Sequence, residues 1–136
     1  GYGWDWFSLR LDDDSELMLF KVRRDGKDGF GGGTLTHKDG TSLPLAKGDF
    51  TVTNTGSWTS PHTKTKYSHG WKIAVPSLKL DATVTPLMKD QEFSHTLAGS
   101  PTYWEGLCDV KGTREGKKLT GHAYVEITGK TPQIPD

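Results

Sequence analysis

Residues 102–110 read TYWEGLCDV and residues 119–128 read LTGHAYVEIT, with the charged loop KGTREGKK between them. Apolar and polar side chains alternate along both segments, which predicts two half-buried strands that form a hairpin. A register that pairs Trp104 with Val125 places Tyr103 and Glu105 beside Tyr124 and Glu126 on one face. The other face is then apolar and consists of Trp104, Cys108, Val110, Leu119, Ala123, Val125 and Ile127.

The polar face of this hairpin has two interpretations. In the first it is the solvated outside of a sheet, and in the second it lines a cavity with carboxylates and tyrosines. The sequence favours the first, because one face of an antiparallel sheet is commonly exposed to water. On the apolar face, Cys108 alternates with Trp104 and Val110, which predicts a small core residue and not a nucleophile.

Short strand patterns continue through the rest of the chain. A first hairpin is predicted around the turn at 12–15, and the consecutive apolar residues at 17–20 predict burial on both faces there. The segment DGKDGFGG at 25–32 predicts a glycine-rich loop, and 58–67 predict a hairpin-like excursion with a polar tip. The other predicted strands are 4–11, 16–23, 33–37, 42–45, 50–55, 70–75 and 78–87, and the irregular stretch 88–100 has room for one helical turn.

These patterns predict an all-β fold of roughly nine strands, because their spacing is that of sandwiches and barrels. No segment keeps a helical period over eleven residues. An antiparallel barrel or a strongly curled sheet is favoured, since closing a sheet removes its exposed edges.

The composition excludes several classes of protein. Lys and Arg number 17, as do Asp and Glu, so the chain lacks the positive excess of nucleic-acid-binding proteins. No apolar run approaches the roughly 20 residues of a membrane-spanning helix. The five histidines lack metal-ligand spacing, and the glycines form no phosphate-binding motif. We therefore predict no metal, no cofactor, no nucleic-acid partner and no transmembrane segment.

Five tryptophans, at positions 4, 6, 58, 71 and 104, lie in or beside the predicted strands. Core packing is the ordinary role of such residues. The functional alternative is an aromatic lining for an extended apolar ligand or a cationic intermediate.

Several separate motifs, in the same order along the chain, resemble one family. They are GWDWFSLRLDDDSELMLFKVR at 3–23, FTVTNTGSWTSPHTKTKY at 50–67, VPSLKLDATVTPLMKDQE at 75–92, TYWEGLCDV at 102–110 and GHAYVEITG at 121–129. The chain is similar to the C-terminal half of AttH-like proteins, the lipocalin-like relatives of carotenoid 1,2-hydratase (hydroxyneurosporene synthase). The resemblance implies a lipocalin-like (calycin-like) antiparallel β-barrel of about 8–10 strands over residues 1–130, with a tail at 131–136. It also implies a missing N-terminal lipocalin-like domain, since GWDWF begins the second half of these two-barrel proteins.

The hydratases of this family add water to a carbon–carbon double bond of an isoprenoid, which requires an acid and aromatic faces. The resemblance therefore implies a small apolar ligand, isoprenoid or lipid-like, and Glu105 is our first choice as proton donor. The residues expected at the ligand are Trp4, Trp6, Trp71, Tyr103, Trp104, Tyr124 and Glu126, and Asp5 also belongs to a shared motif. Two alternatives stay open: a hydratase-like or isomerase-like enzyme active only in the longer protein, and a structural domain that supports the other barrel. Relatives that look exported imply an extracytoplasmic location.

Overall fold

The computed structural model describes residues 2–94 and 102–130, which form one large antiparallel sheet and a small two-stranded one. The strands are β1 (Tyr2–Leu11), β2 (Glu16–Arg24), β3 (Lys27–Thr36), β4 (Ser42–Ala46), β5 (Thr51–Asn54), β6 (Ser57–Thr59), β7 (Lys66–Ser68), β8 (Trp71–Val75), β9 (Leu80–Pro86), β10 (Glu92–Phe93), β11 (Tyr103–Arg114) and β12 (Lys117–Thr128). Two short 3₁₀ turns lie at Lys47–Asp49 and Pro76–Leu78. No helix among the described residues is long and apolar enough to cross a membrane.

The large sheet has the order β4-β3-β2-β1-β12-β11-β9-β8-β5. The short strand β10 pairs with the first part of β11, which β9 does not reach. Its curvature is visible in the contact between Phe7 of β1 and Trp71 of β8, whose ring centroids lie 5.5 Å apart. These two strands are four positions apart in the order, which in a flat sheet is about 19 Å. The sheet therefore curls on itself, and the prediction of an all-β, lipocalin-like fold is confirmed.

The core fills the inside of the curl. Alternation places every second residue there, as the sequence predicts for Trp71, Ile73 and Val75 on β8. The largest fully buried side chains are Trp71, Trp104, Tyr67, Phe7, Leu9, Leu17, Leu19, Leu35, Ile73, Leu80, Ile127 and Val75. Cys108 is buried among them, as its alternation with Trp104 predicts. The interior is thus packed with indole, phenyl and aliphatic groups.

Two glycines permit the close approach of neighbouring strands. A Cβ atom on Gly112 of β11 would lie 1.9 Å from the Asp81 carbonyl oxygen, and one on Gly121 of β12 would lie 2.0 Å from the Arg10 carbonyl oxygen. Any larger residue would push the strands apart. These positions bring the backbones together where the sheet curls.

The register of the last hairpin differs from the predicted one by two residues. Trp104 lies opposite Ile127, and Val125 lies opposite Gly106. The reason is the turn, because only Glu115 and Gly116, with φ of 51° and 78°, connect the two strands. The predicted eight-residue loop is therefore mostly strand. A shift of two preserves the faces, since side chains alternate with a period of two.

The glycine-rich segment at 25–32 is also strand and not loop. Asp25 and Gly26, with φ of 51° and 74°, form the turn, and β3 begins at Lys27. Its glycines fit close to β2, where a Cβ on Gly31 would lie 2.8 Å from the Phe20 carbonyl oxygen. Burial on both faces at 17–20 is only partial, since Leu17 and Leu19 are buried but Met18 and Phe20 are half-buried.

The predicted excursion at 58–67 is the hairpin β6–β7, fixed by one carboxylate. Glu92 accepts hydrogen bonds from the hydroxyls of Ser60 at 2.6 Å, Thr63 at 2.7 Å and Tyr67 at 2.6 Å. The irregular stretch predicted at 88–100 contains the short strand β10, and its last part, 95–100, lies outside the described residues.

Candidate functional site

The candidate site is the outer face of the sheet around β1, β12 and β11. Trp104, Cys108 and Val110 point into the core, so the polar face of the last hairpin is the outside of the sheet, as the sequence favours. We call the cluster formed by Trp4, Trp6, Tyr103, Glu105, Tyr124 and Glu126 the outer-face cluster.

Strand pairing aligns this cluster in rows. Trp6 lies opposite Glu126, which in turn lies opposite Glu105. In the neighbouring row, Thr128 lies opposite Tyr103 and accepts a hydrogen bond from the Trp4 backbone N–H at 2.9 Å. The ring centroids of Trp4 and Tyr103 are 6.1 Å apart. Residues from both ends of the chain are therefore brought into one surface by the pairing of β1 with β12.

The two carboxylates of the cluster lie directly opposite each other, and their charges affect the pKa values of the two tyrosines. Burial, together with the charges of Glu105 and Glu126, raises the pKa of Tyr103 above its usual range. The pKa of Tyr124 is raised by the same causes. In both cases Glu105 contributes more than Glu126, so this carboxylate is the one that acts more strongly on the two phenols.

Further aromatic side chains that the sequence reasoning missed extend the face on both sides. Phe20 lies opposite Trp6 and contacts Phe30 edge-on at 6.1 Å, and Phe93 stacks on Tyr103 at 5.2 Å. Phe30 is 65% exposed and Phe93 45% exposed. The sequence could have placed Phe20, because side chains alternate along a strand. Leu17 and Leu19 point into the core, so Phe20 points to the opposite face. Exposed aromatic area of this kind is typical of binding surfaces.

Trp71 and Trp104 are placed apart from the other six predicted residues. They are 1% and 0% exposed and contact each other inside the core, with centroids 6.1 Å apart. The Trp104 Nε1–H donates to the Lys89 carbonyl oxygen at 2.7 Å, and its ring meets His69 edge-on at 5.4 Å. Their observed contacts are those of core residues.

Two other predicted features can be placed. Asp5 points to the inner side of β1, where it is paired with Arg23. Burial raises the pKa of Asp5, although the Arg23 guanidinium acts to lower it. Burial raises the pKa of Cys108 to about 12, which keeps the thiol protonated and unreactive. Among residues 2–94 and 102–130, no group of three His, Cys, Asp or Glu side chains is placed to hold a metal ion.

Comparison with known proteins identifies the family. The family model described as AttH-like matches residues 1–130. The chain belongs to the AttH-like family. The resemblance seen in the sequence motifs is thereby confirmed. This AttH-like chain is similar to a solved structure of a candidate AttH protein from Nitrosomonas europaea, with 30% identity and a TM-score of 0.79 over 96% of the chain.

A second solved structure, kievitone hydratase from Nectria haematococca, matches 95% of the AttH-like chain with 20% identity and a TM-score of 0.77. At this identity the likeness supports the fold alone. The AttH-like chain spans 39% of the Nitrosomonas protein and 40% of kievitone hydratase. Among curated proteins, no significant match is found.

Proposed function

We propose that this chain presents its outer-face cluster to a small apolar ligand, isoprenoid or lipid-like, within a longer AttH-like protein. The observation that carries the proposal is the row Trp6–Glu126–Glu105, flanked by Tyr103 and Tyr124, on an accessible face. Ligand sites combine a mostly apolar and aromatic wall with a few fixed polar groups. The cluster has this composition, whereas the inside of the sheet is filled by core side chains.

An open outer face supplies only one wall of such a site. The chain spans 39% of the Nitrosomonas protein, so a longer relative has chain available to form the opposite wall. In this proposal an N-terminal lipocalin-like domain of the longer protein covers the cluster and encloses the ligand. The aromatic rings then bind the apolar body, and the carboxylate pair with its phenols binds or activates one polar or reactive point.

Retinol emission tests ligand binding, because it reports binding independently of the number of tryptophans. We expect saturable enhancement at micromolar retinol, and fatty acids and carotenoid fragments, tested as competitors, should displace retinol less effectively than retinol itself. Trp6→Leu should weaken binding by about tenfold or more, since a buried indole contact is worth about 2 kcal/mol. Trp58→Leu, on β6 and outside the cluster, is the matched control and should leave the affinity unchanged. Equal affinity of wild type and Trp6→Leu would contradict the proposal.

A second candidate function is hydration of an alkene, favoured by the carboxylate of Glu105 on the same face as two tyrosines whose pKa values it raises. In its acid form, Glu105 would donate a proton to an alkene carbon, and the nearby rings would stabilise the carbocation through their π faces. Water then adds to the cation, and the proton that it releases returns to the Glu105 carboxylate. The longer protein is needed to exclude bulk water from this site.

The test of hydration compares the longer protein with its Glu105→Gln variant on an isoprenoid alkene. We expect the variant to lose about 100-fold or more in rate, as is usual when a general acid is removed. Asp109→Asn, on the same strand and face but beyond the cluster, is the control. An unchanged rate in Glu105→Gln would remove this residue from the acid role. If retinol binding also fails, the structural-domain alternative is favoured, and the extracytoplasmic location stays a prediction.

A further inference from the structure

A groove of about 840 Å³ lies at one end of the sheet, where β1 begins and β12 ends. It opens between this end and the hairpin β6–β7. Three cationic residues line it: Arg23, Lys66 and Lys130. The groove is separate from the outer-face cluster, and the inference drawn from it does not depend on the proposed function.

The guanidinium of Arg23 is held in a fixed orientation. One terminal nitrogen donates to the Asp5 carboxylate, and the other donates to the Thr128 hydroxyl at 3.1 Å and the Thr128 carbonyl at 3.4 Å. A guanidinium carries five N–H groups, so these three bonds leave at least two donors. An anchored guanidinium with free donors is suited to bind an anionic oxygen group.

A glycine keeps the space beside this guanidinium open. A Cβ atom on Gly3 would lie 2.7 Å from the Thr128 hydroxyl oxygen and 3.2 Å from the Arg23 Nη2 atom. A side chain at this position would therefore occupy the place that a ligand atom needs. The backbones of Gly56 and Gly129 also line the groove, which lets a ligand approach the chain closely.

The charges of the groove favour an anion. Lys66 and Lys130 lie side by side, because each backbone N–H donates to the other's carbonyl oxygen at 2.9 Å. Within the described part of the chain, neither lysine takes part in any of the ion pairs. Of the nearby carboxylates, Asp5 is bound by Arg23, Asp25 lies 4.0 Å from Arg24, and Asp28 lies opposite Arg23 in the pairing of β2 with β3. The two lysines therefore supply the positive charge of the groove that no ion pair among the described residues neutralises.

We propose that this groove binds the anionic head group of an amphipathic molecule, a carboxylate or a phosphate monoester on an apolar chain. Arg23 and the two lysines bind the anionic oxygens. The Tyr2 ring lines the groove and is exposed, and because Arg24 lies over it at 5.6 Å on one face only, the other face offers a flat surface to the apolar chain. A neutral molecule of the same length gains none of the charge-assisted bonds, so it binds more weakly.

Backbone amide shifts in ¹⁵N-labelled protein test the groove directly, with octanoate, octyl phosphate and neutral octanol as probes. The signals of Gly3, Gly56 and Gly129 should move saturably with the two anions and much less with octanol. Gly40 and Gly116, which lie in distant turns, should not move. Comparison of octanoate with octyl phosphate shows which head group the groove prefers. Equal shifts with octanol, or no saturable shift at these three glycines with either anion, would overturn the proposal.

A charge variant separates the groove from non-specific attraction. The double variant Lys66→Gln/Lys130→Gln should weaken binding of the preferred anion by about tenfold, since each exposed charge contributes up to about 1 kcal/mol. Lys72→Gln, on the exposed side of β8, is the matched control and should bind like the wild type. Both lysines of the double variant are exposed, so folding should be preserved, which the unshifted Gly40 and Gly116 signals verify. Equal weakening by Lys72→Gln would overturn the site.

Discussion

At the scale of single residues, the opposed carboxylates of Glu105 and Glu126 are the most informative pair in the molecule. Like charges directly opposite each other on a sheet are destabilising. Both carboxylates raise the pKa values of Tyr103 and Tyr124, and Glu105 contributes more than Glu126 in each case. A sheet optimised for stability alone would not place two acids here, which is consistent with the ligand role proposed for the outer-face cluster.

This asymmetry gives a prediction for two matched variants. Glu126→Gln should raise the free energy of unfolding by about 0.2–1 kcal/mol at pH 7, because it removes the repulsion and leaves Glu105, which acts more strongly on the two tyrosines. Glu105→Gln removes the repulsion together with that stronger interaction, so it should stabilise less or destabilise. Urea unfolding of both variants measures the difference. The opposite order of stabilities would contradict the arrangement of the cluster.

At the scale of elements, the hairpin β6–β7 depends on one carboxylate. Glu92→Ala would leave the hydroxyls of Ser60, Thr63 and Tyr67 without their shared acceptor, and Ser60 is fully buried. We expect a loss of about 1–3 kcal/mol and faster hydrogen exchange in the amides of β7 than in those of β11.

The matched control for that hairpin is Asp90→Asn. Among the described residues, the polar side-chain partner of Asp90 is the exposed His62, at 2.6 Å, and exposed ion pairs contribute little. Asp90→Asn should therefore change stability by less than about 0.5 kcal/mol. Equal effects of the two substitutions on hydrogen exchange would show that Glu92 does not fix the hairpin.

The close contact between β11 and β9 gives a second prediction for an element. Gly112→Ala should destabilise the protein by about 1–3 kcal/mol or more, because the new methyl group would overlap the Asp81 carbonyl. Gly48→Ala has open space around it and should change stability by less than about 0.5 kcal/mol. Thermal unfolding of both variants measures this difference, and a tolerated Gly112→Ala would contradict the described pairing.

The elements also show what the sequence could predict. The faces of the last hairpin were predicted correctly despite a wrong register, because an error of two residues leaves side-chain parity unchanged. The two-residue turns at 25–26 and 115–116 were not predicted, because the charged and glycine-rich segments around them resemble long loops. The Asp-Gly and Glu-Gly pairs within those segments are the sequence signals of the short turns. Phe93 could not be placed, since β10 exists only through its long-range pairing with β11.

At the scale of the whole molecule, the raised pKa values of one cysteine and three tyrosines predict alkaline sensitivity. Burial raises the pKa of Tyr67, Tyr103 and Tyr124, and that of Cys108 to about 12. Above the pKa values of the unfolded chain, near 8.5 for cysteine and 10 for tyrosine, the folded chain binds more protons than the unfolded one. Stability should therefore be complete below about pH 8 and fall as the pH rises further.

Urea midpoints measured from pH 7 to 11 check this slope. In Cys108→Ala, the fall between about pH 9 and 10 should be shallower, because one group that contributes up to about 1.4 kcal/mol per pH unit is gone. The fall above pH 10 should stay, since the tyrosines cause it. A midpoint that rises with pH in this range would contradict the burial of these groups.

The curvature of the whole sheet decides which residues of the site could be predicted from the sequence and which could not. The motifs shared with the AttH-like family pointed to residues at both ends of the chain, and the pairing of β1 with β12 brings Trp4 and Trp6 beside Glu126. Trp71 and Trp104 were grouped with them because an aromatic residue in a strand gives no sign of which face it occupies until the curvature of the sheet is known. Their place in the core leaves the outer-face cluster as the candidate site.

The most direct test is to locate bound retinol by nuclear Overhauser effects to methyl groups, because the two sides of the sheet carry different methyls. Met18, Val22 and Leu107 lie on the outer face, whereas Leu9 and Ile127 lie in the core. We predict contacts from retinol to the outer methyls and none to the core methyls. Contacts to Leu9 and Ile127, or saturable binding without contact to the outer methyls, would contradict the outer-face cluster as the ligand site.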